Sequence, residues 1–194
     1  MIAAGGQGEM TVNVLKSARE VSYLLDNMDP AEAAKYEHIK HMFSPILVYL
    51  GMFDTDMYGD MPYTEAVMAR YTNPMLLTPK FDTMEELYTI WYDQLVEAVN
   101  VLTVNGTQIT QTALGAQDFV YGGNAAKWAK FANSLKLKLA VRLLHQNKAK
   151  ALAIAKEAAA NPAGLMTTLN DDFVYNKGSQ EYHFGDDVNP GAPS

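Results

Sequence analysis

Apolar side chains return every three or four residues through most of this sequence, and that spacing commits the chain to amphipathic helices. Val14, Ala18, Val21 and Leu25 mark a first helix over residues 10–27. Asp29-Pro30-Ala31-Glu32 opens a second: Asp29 suits an N-cap, Pro30 loses nothing at the first helical position, and Glu32 completes a capping box. Tyr36, Ile39, Phe43, Ile46, Leu50 and Phe53 carry its apolar face to about Met57, with a kink expected at Pro45. Between 58 and 81 the period breaks at Gly59, Pro62, Asn73, Pro74 and Pro79. Met61, Tyr63, Met75 and Leu76 still offer surface to bury, so this long loop is expected to pack. Asp82 with Glu85 reads as the next N-cap and capping box, ahead of a stripe of Leu87, Trp91, Leu95, Ala98 and Leu102. Asn105-Gly106 reads as a turn, and Asn124 caps a fourth helix bearing Trp128, Phe131, Leu135, Leu139 and Leu143. Leu137, Val141 and Leu144 give that helix a second apolar side, the mark of one sandwiched between neighbours. A fifth helix, 148–160, stops at Asn161-Pro162, and residues 165–194 read as an irregular tail. The expectation is an all-α fold of tetratricopeptide-like helical pairs, an irregular bundle or solenoid, although no repeat of about 34 residues aligns within the chain. No β-sheet of consequence is read.

Composition narrows the chemistry. The 194 residues are 48% hydrophobic and 19% charged, which fits one globular domain, and there is no cysteine. Disulfides, thiolate metal sites and thiol nucleophiles are therefore excluded. The opening residues, MIAAGGQGEM, lack the charged and apolar regions of a secretory signal. The nearly uncharged stretch from Met42 to Phe53 is too short for the roughly 20 residues that span a bilayer. A net charge of −7 opposes general nucleic-acid binding, because phosphate neutralisation needs a basic surface.

Several constellations invite a chemical reading, and each has a plainer one. From Asp54 to Glu65 the spacing approaches a calcium loop, with Gly59 and Glu65 at the turn and bidentate positions. Tyr58 replaces a ligand at the fifth position and Pro62 stiffens the ninth, so a helix end running into a structural turn is preferred and no metal is assigned. His38 and His41 are three apart on a helix but have no third ligand in a nearby motif, while His145 and His183 are isolated. No serine sits in a G-x-S-x-G elbow, and Gly122-Gly123 lacks the remaining glycines and lysine of a phosphate cradle. The acidic pairs Asp171-Asp172, Asp186-Asp187 and Glu85-Glu86 are adjacent in sequence, which sets no catalytic geometry. No catalytic residue and no cofactor is assigned. Between Ala125 and Lys156 lie eight basic residues and no acidic one, leaving −15 on the rest of the chain. A phosphate-binding stripe through Lys127, Lys130, Lys138 and Arg142 is one reading; packing against the acidic remainder is the better one, since no aromatics interleave on that face.

Three segments together are more specific. They are Tyr58-Gly59-Asp60-Met61-Pro62-Tyr63-Thr64-Glu65-Ala66, then Pro79-Lys80-Phe81-Asp82-Thr83 before Glu86-Leu87-Tyr88, then Tyr121-Gly122-Gly123-Asn124 followed by Lys127-Trp128-Ala129-Lys130-Phe131-Ala132-Asn133-Ser134-Leu135. In order and spacing the chain resembles the SusD/RagB family of glycan-binding outer-membrane lipoproteins, over roughly residues 31–146. The resemblance implies a non-catalytic helical scaffold displayed at the cell outer membrane, an oligosaccharide or peptide ligand, and a TonB-dependent transporter as partner. Family members are normally more than twice as long, with a signal peptide and lipid-bearing cysteine upstream. The chain is therefore read as the N-terminal and central helical part of a longer protein, for which self-association through an uncovered apolar patch is expected. No family binding residue maps onto it. Tyr58, Tyr63 and Tyr71 in the long loop are the candidate sugar-stacking residues, against the alternative that they anchor the loop. The rival reading is a helical protein-interaction module without glycan binding, and a glycoside-acting enzyme ranks below both.

Overall fold

The computed structural model describes residues 9–103 and 109–175. Its helices are α1 (Glu9–Asp26), α2 (Pro30–Ala33), α3 (Glu37–Tyr58), α4 (Met84–Thr103), α5 (Ala125–Leu143) and α6 (Lys148–Ala160). Among the described residues the only strand-like pairing is one antiparallel bridge between Met61 and Asp82. The fold is all-α. Sequential neighbours pack as pairs: α1 on α3, α3 on α4, α4 on α5 and α5 on α6, while α3 also meets α5 directly. This is the tetratricopeptide-like stacking expected from the periodicity.

The main core runs through α3, α4, α5 and α6, with Val48, Met52, Trp91, Leu95, Ala129 and Leu139 all at or below 1% exposure. Gly51 is what lets α3 approach α4: a Cβ there would lie 2.5 Å from Trp91 Cζ2. A second cluster of Leu15, Leu47 and Ala66 fastens α1 and the long loop to α3. At the top of that contact the buried Thr11 hydroxyl donates to the buried Asp54 carboxylate.

Several sequence expectations shift in detail. Asp29 does cap α2, accepting from the Ala31 and Glu32 amides. Glu32 pairs outward with Lys35, however, and a 3-10 turn over Ala34–Tyr36 separates α2 from α3 where one continuous helix was expected. The capping box of α4 is Thr83 with Glu86, one residue later than predicted. Asp82 cannot serve as that cap because its carboxylate is wholly buried under the long loop. In α1 the inward face centres on Thr11, Leu15 and Leu25, with Val14 and Ala18 on its margin. The long loop packs as expected through Met61 and Tyr63, whereas Met75 is 66% exposed on the turn closed by the Leu76 amide on Thr72 Oγ1. The second apolar side of α5 is only partly covered: Leu137 is half-buried, while Val141 is 64% and Leu144 42% exposed. The Asn105-Gly106 turn, His183, Asp186-Asp187 and most of the expected tail lie outside the described residues.

Candidate functional site

The buried carboxylates Asp82, Asp118 and Asp171 are structural. Asp82 accepts from the Tyr63 amide (3.0 Å), the Thr64 amide (2.7 Å) and the Thr64 hydroxyl (2.7 Å), and pairs with Lys80 at 3.1 Å. Asp118 closes the loop before α5 in the same way. It accepts from the amides of Val120, Tyr121 and Gly123 and, at 2.7 Å, from Trp128 Nε1. Gly122 and Gly123 have φ of 63° and 80°, so this turn needs residues without a Cβ. Asp171 accepts from the Thr167 and Thr168 amides and the Thr168 hydroxyl, and pairs with Lys130 at 2.8 Å. Burial pushes the Asp82 and Asp118 carboxyls up, but their donors outweigh it and hold both below the ordinary range. For Asp171 the Lys130 ammonium is the leading cause, and its carboxyl is held far below that range.

The block around Trp128 has the same character. Trp128 reaches Asp118, Lys130 reaches Asp171, Asn133 Nδ2 donates to the carbonyls of Ala158 (2.9 Å) and Gly164 (2.8 Å), and Ser134 Oγ accepts from the Met166 amide. Together these side chains tie α5 to the loop before it, to α6 and to the segment that follows α6. The motifs that carry the family resemblance are thus clamps.

Charge on α5 is used internally too. Arg142 pairs with Asp56, the nearly inaccessible Lys136 with Glu157, Lys127 meets Asn170, and Lys138 lies 4.6 Å over the Tyr49 ring. The phosphate-stripe alternative therefore loses most of its cations. The Asp54–Glu65 stretch does not converge as a calcium loop: Asp54 holds Thr11, Asp56 holds Arg142, Asp60 accepts from the Met84 amide and Glu65 from the Lys80 amide. His41 faces Glu37 and Glu97, and His38 is held below its ordinary pKa by burial. Among the described residues no three His, Cys, Asp or Glu side chains are placed to hold a metal ion. Glu86 is spent in the α4 cap, and His145 is exposed.

The three candidate tyrosines occupy different environments. Tyr63 is 2% exposed, lies edge-on to Trp91 at 5.9 Å, and donates its hydroxyl to Gln94 Oε1 at 2.8 Å. Burial pushes its pKa up to about 12. It anchors the loop and has no face to offer a sugar, which corrects its place among the candidates. Tyr58, on the last turn of α3, is 46% exposed. Tyr71 is half-buried and brings a partner the sequence reading missed: Tyr23 of α1, 43% exposed, with ring centroids 5.1 Å apart. Glu20 accepts the Tyr71 hydroxyl at 2.7 Å and pairs with Arg70 at 2.9 Å, whose guanidinium lies 5.9 Å over the Tyr71 ring. Tyr23, Tyr71, Glu20 and Arg70 form an aromatic corner with hydrogen-bonding groups beside it. The one available signal for Tyr23 was its failure to fit the inward stripe of α1.

Comparison with known proteins gives a consistent result. Residues 9–185 match the family model described as SusD-like, SusD and RagB outer membrane lipoprotein. A SusD homolog from Bacteroides uniformis is 33% identical, with a TM-score of 0.64 over 90% of this chain and 32% of its own. A homolog from Bacteroides vulgatus is 26% identical, with a TM-score of 0.69 over 84% of this chain and 31% of its own. A chitin-binding SusD homolog from Flavobacterium johnsoniae is 26% identical, with a TM-score of 0.64 over 80% of this chain and 31% of its own. No curated protein matches. The chain spans about one third of the length of these solved relatives. Among the described residues no helix is long and apolar enough to cross a membrane. With its family model matched over 9–185, its helical stacking shared and its motif residues acting as clamps, the chain belongs to the SusD/RagB family of outer-membrane lipoproteins.

Proposed function

We propose that this chain is helical scaffold from a non-catalytic protein that captures glycan at the outer-membrane surface and passes it to a TonB-dependent transporter. The observation that carries the reading is the family match over residues 9–185. The presence of a chitin-binding homolog among its structural neighbours supports glycan as the ligand class. The use of Asp82, Asp118 and Asp171 to brace loops fits binding better than acid–base chemistry. Within this third, Tyr71 with Tyr23 forms the best sugar platform and Tyr58 an outlying one. The C–H face of a pyranose packs on a ring while Glu20 and Arg70 take hydroxyls.

A second reading, a module that docks protein, is favoured by one surface. Tyr49, Phe53 and Met57 follow one another on α3 at 42%, 48% and 59% exposure, and Val141 lies on the adjoining α5. Titrating oligosaccharides into the full-length parent, together with affinity isolation of its transporter, tests the choice. Saturable sugar binding and recovery of the transporter support capture. A co-purifying polypeptide with no sugar binding supports the second reading, and release of shortened sugars would contradict the non-catalytic assignment.

A further inference from the structure

The basic side chains of this chain are outnumbered by acidic ones, 15 to 22, and those packed against its helices mostly have partners. Arg19 and Lys40 differ. Both line a cleft of about 270 Å³ between α1, α3 and α4, and neither forms an ion pair among the described residues. Arg19 Nη2 donates to the carbonyls of Tyr63 (3.1 Å) and Thr64 (2.7 Å), which fixes the guanidinium, while its Nε is buried without a hydrogen-bond partner. The outer Nη1 has no hydrogen-bond partner among the described residues and is the donor left for a ligand.

The rest of the lining is mixed. Phe43 and Leu47 provide apolar surface, and Ser22 and Ser44 line the same cleft. The one carboxylate in the lining, Glu97, lies 3.9 Å from His41 Nε2. The volume is just below the range of about 300–1,000 Å³ usual for ligand sites, which suits one ring and not an oligomer.

We propose that this cleft is a subsite for an acidic sugar unit, with the carboxylate or sulfate on Arg19 and Lys40, the hydroxyls on Ser22 and Ser44, and the ring against Phe43. The proposal rests on the glycan-capture reading and names a ligand class for it. With Nη2 held by two main-chain carbonyls, the guanidinium offers the anion one fixed donor, Nη1, and a lysine supplies a movable point charge. A single unit seated this way binds weakly, in the millimolar range.

The test is amide chemical-shift mapping of this chain with four probes: a galacturonate trisaccharide, a sulfated disaccharide, a neutral disaccharide and acetate. The expected result is saturable shifts at Ser22, Lys40 and Ser44 with the acidic sugars alone. Which of the two acidic sugars binds more tightly separates carboxylate from sulfate. Lys40→Gln should weaken binding about tenfold, and Lys16→Gln, outside the cleft, should leave it unchanged. Equal shifts with the neutral sugar or with acetate overturn the proposal, as does a cleft silent to both acidic sugars. Sugar shifts confined to Tyr23 and Tyr71 with every probe, the cleft staying silent, would overturn it while leaving the glycan reading intact. A full-length parent that binds no sugar refutes the glycan reading itself.

Discussion

Removing the Asp118 carboxylate should unlock the loop that starts α5. The buried Trp128 indole N–H and three main-chain amides all point at this one group, at 2.7 to 3.1 Å. Asp118→Ala leaves the indole donor unsatisfied beneath Tyr121 and Phe173, at a cost of about 1–3 kcal/mol. The three amides lose a charged acceptor but regain part of their hydration, and shared partners make the losses non-additive. A total of about 3 kcal/mol follows. Asp118→Asn keeps the shape and one acceptor oxygen, so about half that loss is expected. With a urea slope of about 2–3 kcal/mol/M, the alanine variant should lower the unfolding midpoint by roughly 1–1.5 M. Tryptophan fluorescence reports it, with exposed Asp172→Ala as the control within about 0.5 kcal/mol of the parent. If Asp118→Ala unfolds at the control's midpoint, the loop is held by something else and the clamp argument fails.

Gly51→Ala should destabilise by about 2 kcal/mol net, because a Cβ 2.5 Å from Trp91 in a closed core outweighs the gain in helix propensity; an unchanged melting temperature would refute it. Glu157→Ala leaves the Lys136 side chain, 1% exposed, and the Tyr92 hydroxyl without their acceptor and should cost about 3 kcal/mol by urea titration, whereas Glu157→Gln should cost less. Asp82, Asp118 and Asp171 all have folded pKa values below their unfolded ones. Their contribution is therefore complete above about pH 5, starts to fall near the unfolded pKa of about 4 and is lost as pH drops through the depressed values. Urea midpoints at pH 6, 4 and 3 should fall in that order, and a flat series would contradict the assignment. The face of Tyr49, Phe53, Met57 and Val141 should drive self-association of this chain, seen by light scattering and relieved by Phe53→Glu; a monodisperse monomer of the unsubstituted chain at high concentration would exclude it.

Helix positions were legible because caps and periodicity are local: Asp29, Asn124 and the Leu87–Leu102 stripe sit where their spacing places them. The Asp82 error has a physical origin. Asp82 and Thr83 are both acceptable N-caps with an acid three residues on, and only the tertiary burial of Asp82 under Thr64 decides between them. The same holds for Asp118, whose acidic side chain in a glycine-bearing loop looks solvated until Trp128, ten residues on, is folded over it. Tyr63 and Tyr71 look equivalent in sequence, since both are loop tyrosines beside polar residues. They separate because Tyr63 faces Trp91 while Tyr71 meets Tyr23 on another helix, a contact spanning 48 positions of sequence. The two apolar sides of α5 were legible, but whether a neighbour covers each depends on packing that spacing does not encode.

Paired calorimetric titrations test the central claim most directly: one oligosaccharide panel titrated into the full-length parent and, in parallel, into this chain. Sugar affinity needs several aromatic and polar groups held together in advance, and an incomplete set must order itself at about 0.5–1.5 kcal/mol per immobilised side chain. The parent should bind a member of the panel at micromolar concentration, with Tyr71→Ala weakening it. This chain should bind the same sugar no better than millimolar. A parent that binds none of the panel, or a chain that binds as tightly as its parent, would contradict the account.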